Sequence, residues 1–84
     1  MAVQFIRIPT SAKKLGDELT RLVDWYQTSM IPEDDLVEAV QTWKENVPQL
    51  LLDDGGLVNP TLVKYIGKRR ALVLATLLAN RVNI

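Results

Sequence analysis

The fold is decided by residues 11–26, which read SAKKLGDELTRLVDWY. Apolar side chains recur there at intervals of three and four, the spacing of one helical face. They are Ala12, Leu15, Leu19, Leu22, Val23 and Tyr26. Thr10 or Ser11 is a natural N-cap, since its hydroxyl accepts a hydrogen bond from a free backbone N–H. Gly16 costs a helix about 1 kcal/mol relative to alanine, so it indicates a close approach by a neighbouring element. We expect this helix to end near Thr28.

A second helix is predicted from Pro32 to Pro48. Proline is common at the start of a helix, and the three acidic residues 33–35 suit the positive end of the helix dipole. The predicted buried positions are Leu36, Val37, Ala39, Val40, Trp43 and Val47. After Pro48, the apolar residues 50–52 are expected to pack on the core, and residues 53–56, Asp-Asp-Gly-Gly, to form a turn.

A third helix should begin at Asn59-Pro60, with asparagine as N-cap and proline in the first helical position. Gly67 either ends this helix or lies inside one that continues to about Arg81. Residues 71–82 carry apolar side chains on almost every side. A helix of that kind is buried in the middle of a fold or shared with another subunit.

The N-terminal residues 1–9 are predicted to be extended, because Pro9 disfavours helical angles at Ile8. Two interpretations stay open for this arm. It packs across the helices, which we favour, or it pairs as a strand with a partner chain. The sequence as a whole therefore predicts an all-α protein, a compact bundle of three to four helices with an extended N-terminal arm. Residues 1–84 form a single helical domain.

The composition excludes several kinds of chemistry. The 84 residues contain no cysteine and no histidine, which removes disulfides, thiol nucleophiles, imidazole bases and most transition-metal sites. Acidic residues cluster at 33–35 and at 53–54, but helix-start electrostatics and turn chemistry account for both clusters. No phosphate-binding glycine loop or nucleophile motif occurs. We therefore predict no catalytic residues, no cofactor, no metal and no enzymatic activity, and infer no small-molecule substrate.

Charge is unevenly distributed along a chain whose net charge is zero. Residues 32–58 hold seven acids and one base, whereas residues 59–84 hold five bases and no acid. Four of those bases surround Gly67: Lys64, Lys68, Arg69 and Arg70. They could contact nucleic-acid phosphates, or they could pair with the acidic segment within one chain or across a dimer. We favour pairing, because the following helix is too apolar to lie in a major groove.

These patterns favour a protein partner, including a second copy of the chain, over nucleic acid. A short chain cannot easily cover both the apolar residues 71–82 and the arm, and an uncovered apolar patch usually marks an interface. The candidate interface residues are Phe5, Ile8 and Trp25, the last lying one position off the apolar face of the first helix. Such a dimer should bury more than about 1,000 Å² in total.

No targeting or membrane segment is visible, so a cytoplasmic location is expected. The apolar stretch at the N-terminus is interrupted by Arg7 and Pro9, long before signal-peptide length. The longest uncharged stretch late in the chain, residues 71–80, has ten residues, and a membrane helix needs about 20.

The C-terminal third carries a recognisable combination of residues. Asn59-Pro60-Thr61, then Ile66-Gly67-Lys68-Arg69-Arg70, precede an apolar helix. With Trp43 and the acidic helix start at residues 33–35, this resembles a family of small Gram-positive bacterial proteins of unknown function. The resemblance covers most of residues 10–80 and does not include the arm. It implies a bacterial cytoplasmic protein and brings no activity with it.

Overall fold

The structure, a computed structural model, describes residues 3–82, so the first two residues of the predicted arm lie outside it. Four helices follow one another: α1 (Ala12–Gln27), α2 (Glu33–Asn46), α3 (Pro48–Leu51) and α4 (Pro60–Asn80). Within residues 3–82 there is no β-strand, and the only β-type pairing is an isolated antiparallel bridge between Leu52 and Val58. The predicted all-α class is confirmed.

α1 forms for the reasons that its sequence indicates. Ser11 is the N-cap, and its Oγ accepts a hydrogen bond from the backbone N–H of Lys14 at 3.2 Å. The apolar positions 15, 19, 22 and 23 are buried. Gly16 does mark a close approach, because a Cβ at this position would lie 2.7 Å from the Cβ of Tyr65. α1 and α4 therefore contact each other with no room for a side chain at residue 16.

α2 and the segment after it complete the core. The three acids at 33–35 occupy the first turn of α2, and Trp43 is fully buried. Pro48 ends α2 and begins the single turn of α3. Leu51 is buried while Leu50 and Leu52 pack against the core, so the prediction that this segment docks is confirmed.

Gly67 breaks α4 into two halves, residues 60–66 and 68–80. Its backbone angles, φ 85° and ψ 162°, are not helical, and this region is readily adopted only by glycine. Asn59 caps the first half, where its Oδ1 accepts a hydrogen bond from the backbone N–H of Thr61 at 2.9 Å. Of the two alternatives at Gly67, the break is correct.

The arm packs across α1 and α2. Val3 is buried, and side chains from both helices bond to the arm's backbone. The backbone oxygens of Gln4, Ile6 and Arg7 accept from Arg21, Trp43 and Asn46, at 2.9, 2.7 and 3.2 Å, and Ile6 N–H donates to Glu18 at 2.9 Å. These bonds satisfy backbone groups that would otherwise pair in a sheet. The first interpretation of the arm is therefore the observed one.

The second half of α4 is only partly enclosed. Leu74 and Leu77 are buried, but 68% of Leu72 is exposed and Ala75 and Ala79 face solvent. A helix with apolar residues on all sides is thus covered on one side only in the isolated chain. The reason is size, since an 84-residue chain has too few elements to surround one of its own helices.

Candidate interaction surfaces

The four cations around Gly67 do not act together. Arg70 makes a two-point contact with Asp24 of α1, with its Nε 2.8 Å from Oδ1 and its Nη2 2.9 Å from Oδ2. Arg69 lies beside it, with its Nη2 3.7 Å from Asp24 Oδ1 and a hydrogen bond to Gln27. Lys64 and Lys68 are exposed and make no ion pair with any residue in the range 3–82. The cluster is therefore divided into two paired arginines and two solvated lysines.

Within one chain, Arg69 and Arg70 do not pair with the acidic segment 32–58 as expected, and their partner is Asp24. The break at Gly67 directs Arg69 and Arg70 towards the end of α1, where Asp24 is the acid within reach. The acidic segment is instead met by Arg81, which pairs with Glu33 and lies 2.7 Å from Asp34. The distribution of charge along the sequence did indicate ion pairs within the chain. The break at Gly67 determines which acid each cation contacts.

Arg69 and Arg70 both affect the pKa of the Asp24 carboxyl group. The hydrogen bond from Arg70 lowers the pKa of Asp24, partial desolvation opposes this effect, and the charges of Arg70 and Arg69 add to it. Because the folded-state pKa is lowered, the pair stabilises the fold above the unfolded-state pKa of about 3.9. This stabilisation is lost as the pH falls through the lower folded-state value.

Replacing Asp24 with asparagine should therefore destabilise the protein more at neutral pH than in acid. We expect a loss of about 1 kcal/mol or less at pH 7, because the pair is partly exposed. The difference between the parent and Asp24→Asn should be smaller at about pH 3 than at pH 7, as measured by urea midpoints at both pH values. Asp54→Asn is the control, since Asp54 is exposed and pairs with nothing in the described part of the chain. A difference of equal size at both pH values would contradict the argument.

The three candidate interface residues lie in different surroundings. Phe5 is half-buried and packs edge-on against Trp43, with their ring centroids 5.4 Å apart. Ile8 is 65% exposed on the arm. Trp25 is 38% exposed, and the Arg21 guanidinium lies 5.0 Å from its ring. The structure does not bring the three together, and Phe5 already has a partner inside the fold.

Trp25 borders an open groove of about 440 Å³ between the arm and the α1–α2 turn. Its walls are Val3, Gln4, Arg21, Trp25, Met30 and Ile31. The groove has no buried unsatisfied polar atom in its walls. Nothing in its geometry indicates which molecule would fill it.

A second exposed apolar area lies along the second half of α4 and the loop before α4, and we call it the C-terminal apolar surface. It consists of Leu57, Val58, Leu72, Ala75, Thr76, Leu78 and Ala79. Leu57 is 70% exposed and borders a groove of about 190 Å³ that Val58, Ala75, Leu78 and Ala79 also line. The sequence predicted the helical part of this surface. Leu57 was missed, although a leucine directly after the glycine turn at residues 55–56 was a usable signal.

Few side chains on this surface can hydrogen-bond to water. Residues 71–80 include no charged side chain. The one hydroxyl on the surface, that of Thr76, already donates to the carbonyl oxygen of Leu72 at 2.9 Å. A partner could therefore cover the surface without stripping water from a charge or leaving a polar group unpaired.

Two further findings concern metal-binding groups and helix length in the described part of the chain. Among residues 3–82, no three His, Cys, Asp or Glu side chains are grouped to hold a metal ion. None of the helices in that range combines the length and apolar character needed to cross a bilayer.

Comparison with known proteins shows the family. No curated protein and no solved structure matched the chain. A family model described as "Conserved hypothetical protein" matches residues 6–79, which include all four helices except the last residue of α4. The matched region agrees with the resemblance noted over residues 10–80. The chain therefore belongs to this family of conserved hypothetical proteins.

Proposed function

We propose that the protein is a non-enzymatic interaction module that self-associates through its C-terminal apolar surface. The observation that carries the proposal is the exposure of two leucines beside an apolar groove: Leu72, 68% exposed on the uncharged face of α4, and Leu57, 70% exposed on the loop before α4. Contiguous exposed apolar surface of this kind usually marks a binding site rather than ordinary protein surface.

A second copy of the chain is the partner that this surface suits. A two-fold dimer places the same patch on both sides of the interface, so the patch must be complementary to itself. The C-terminal apolar surface offers both a projecting leucine and a groove, and its uncharged centre brings no like charges together. The arm, whose backbone is bonded to α1 and α2, is less suited to pairing with another chain.

Sedimentation equilibrium of the parent and of Leu72→Glu tests this proposal. We expect the parent to be a dimer at about 100 µM, and Leu72→Glu to be a monomer that keeps the parental circular dichroism, because glutamate would be desolvated in the interface. Ile8→Glu is the matched control, as Ile8 is equally exposed but lies on the arm. A parent that stays monomeric contradicts the proposal, as does a dimer that Ile8→Glu dissociates and Leu72→Glu does not.

Nucleic-acid binding is the second candidate, favoured only by the two solvated lysines, Lys64 and Lys68. Arg70 and Arg69 are engaged with Asp24, and two free cations provide few phosphate contacts. We therefore expect no binding of duplex or single-stranded DNA at about 150 mM salt. Fluorescence anisotropy of labelled DNA at two salt concentrations distinguishes the two functions, because salt-sensitive binding would favour this candidate.

A further inference from the structure

We infer that two copies of the chain pair the second halves of α4 in antiparallel orientation, and that Leu72 of each inserts into the other's groove. This inference rests on the proposed self-association and assigns its partner and its register. The groove is the one lined by Gly56, Leu57, Val58, Ala75, Leu78 and Ala79.

The register follows from where the projection and the groove lie along the helix. The uncharged stretch 71–80 is centred between Ala75 and Thr76. A two-fold axis facing that centre puts Leu72 of one copy opposite Ala79 of the other, and the reverse. Ala79 lines the groove, so the most exposed leucine of α4 meets the groove twice in one dimer.

The small side chains at positions 75 and 79 fit this arrangement. The distance between packed helices depends on the side chains at the contact and is about 8–10 Å. Alanine at both positions permits the lower end of that range. In this register residues 71–80 of the two helices face each other and provide a contact about 15 Å in length, widened by Leu57 on each side.

Charge selects the antiparallel orientation over the parallel one. Lys68, Arg69 and Arg70 all lie at the start of the second half of α4. Parallel pairing would place these cations beside their own copies. Antiparallel pairing places Lys68 and Arg69 near the end of the partner helix, where the dipole is negative and favours cations. The cation already at that end, Arg81, is paired with two acids, Glu33 and Asp34.

A swap of the two facing side chains tests the register. Leu72→Ala removes the projection and Ala79→Leu fills the groove, so each should weaken the dimer at least about tenfold, equivalent to about 1.4 kcal/mol. The double variant Leu72→Ala/Ala79→Leu exchanges projection and groove across the axis. It should recover most of the affinity in sedimentation equilibrium. Both substituted positions are exposed, and circular dichroism should show a folded chain in all three variants.

Disulfide trapping gives a second measurement, and the absence of cysteine in the chain makes single-cysteine variants clean reporters. Thr76→Cys lies near the proposed axis and should form a disulfide-linked dimer on mild oxidation. Ala79→Cys should not, since its copy would be displaced by about 10 Å along the axis, beyond the Cα separation that a disulfide spans.

The outcomes separate the two proposals. A dimer that the swap does not rescue, or that Ala79→Cys traps as readily as Thr76→Cys, overturns the register and leaves self-association standing. A parent that is monomeric at about 100 µM overturns both. Rescue by the swap together with selective trapping at position 76 supports the antiparallel pairing.

Discussion

Trp43→Ala should remove most of the stability of the fold. Trp43 is fully buried, packs edge-on against Phe5, and donates a hydrogen bond from Nε1 to the Ile6 carbonyl at 2.7 Å. Removing such a side chain costs about 3–5 kcal/mol, and a domain of this size has a total stability of about 5 kcal/mol. Because the arm depends on this ring, its contacts should be lost as well.

Urea unfolding followed by far-ultraviolet circular dichroism measures the effect. Trp25→Ala is the matched control, since it removes the same side chain from a partly exposed position. We expect the control to unfold at nearly the parental midpoint and Trp43→Ala to unfold at a much lower urea concentration, with a short folded baseline. Similar losses in the two variants would mean that Trp43 does not anchor the core.

Gly67→Ala should cost about 1–3 kcal/mol, because it puts a side chain on a backbone conformation that only glycine adopts readily. The cost is conformational rather than steric, since a Cβ at position 67 would meet nothing within 4 Å. Alanine favours helix at this position, so the variant should also be driven towards a straight α4. A straight α4 would move Arg70 away from Asp24.

Gly55→Ala provides the control for this substitution. Gly55 does not have a positive φ, and its Cβ would make an ordinary contact of 3.5 Å with Asp53 Oδ1. The same change there should be neutral or slightly stabilising, by up to about 1 kcal/mol. If thermal unfolding shows Gly67→Ala to be as stable as the parent, the break in α4 is not required by the fold.

Local chemistry explains why so much of the fold was predictable. Ser11 and Asn59 cap helices that begin immediately after them, and the apolar positions of α1 and α2 recur with the helical period. These signals depend only on neighbouring residues. Gly16 could be interpreted from local chemistry as well. A glycine inside a helix destabilises the helix, and close packing of a neighbouring element explains why glycine is present there.

The ion pairs and the C-terminal apolar surface were less predictable, because they depend on residues far apart in sequence. Asp24 meets Arg70 across 46 positions, and Arg81 meets Glu33 across 48. Total charge by segment indicated that the basic end would find acids, but no local rule names which ones. Leu57 joined the C-terminal apolar surface only through the turn that places it beside Ala75 and Ala79.

The sequence by itself determined α1, α2 and the start of α4, the caps of α1 and α4, the buried faces of α1 and α2, and the absence of thiol and imidazole chemistry. All of these follow from residue type and short-range spacing. Only the tertiary structure decided that α4 breaks at Gly67, that the arm bonds to α1 and α2, and that one face of α4 stays uncovered. The physical reason is that these features are set by competition for space and partners among distant segments, and a chain of 84 residues has too few segments to cover every apolar face.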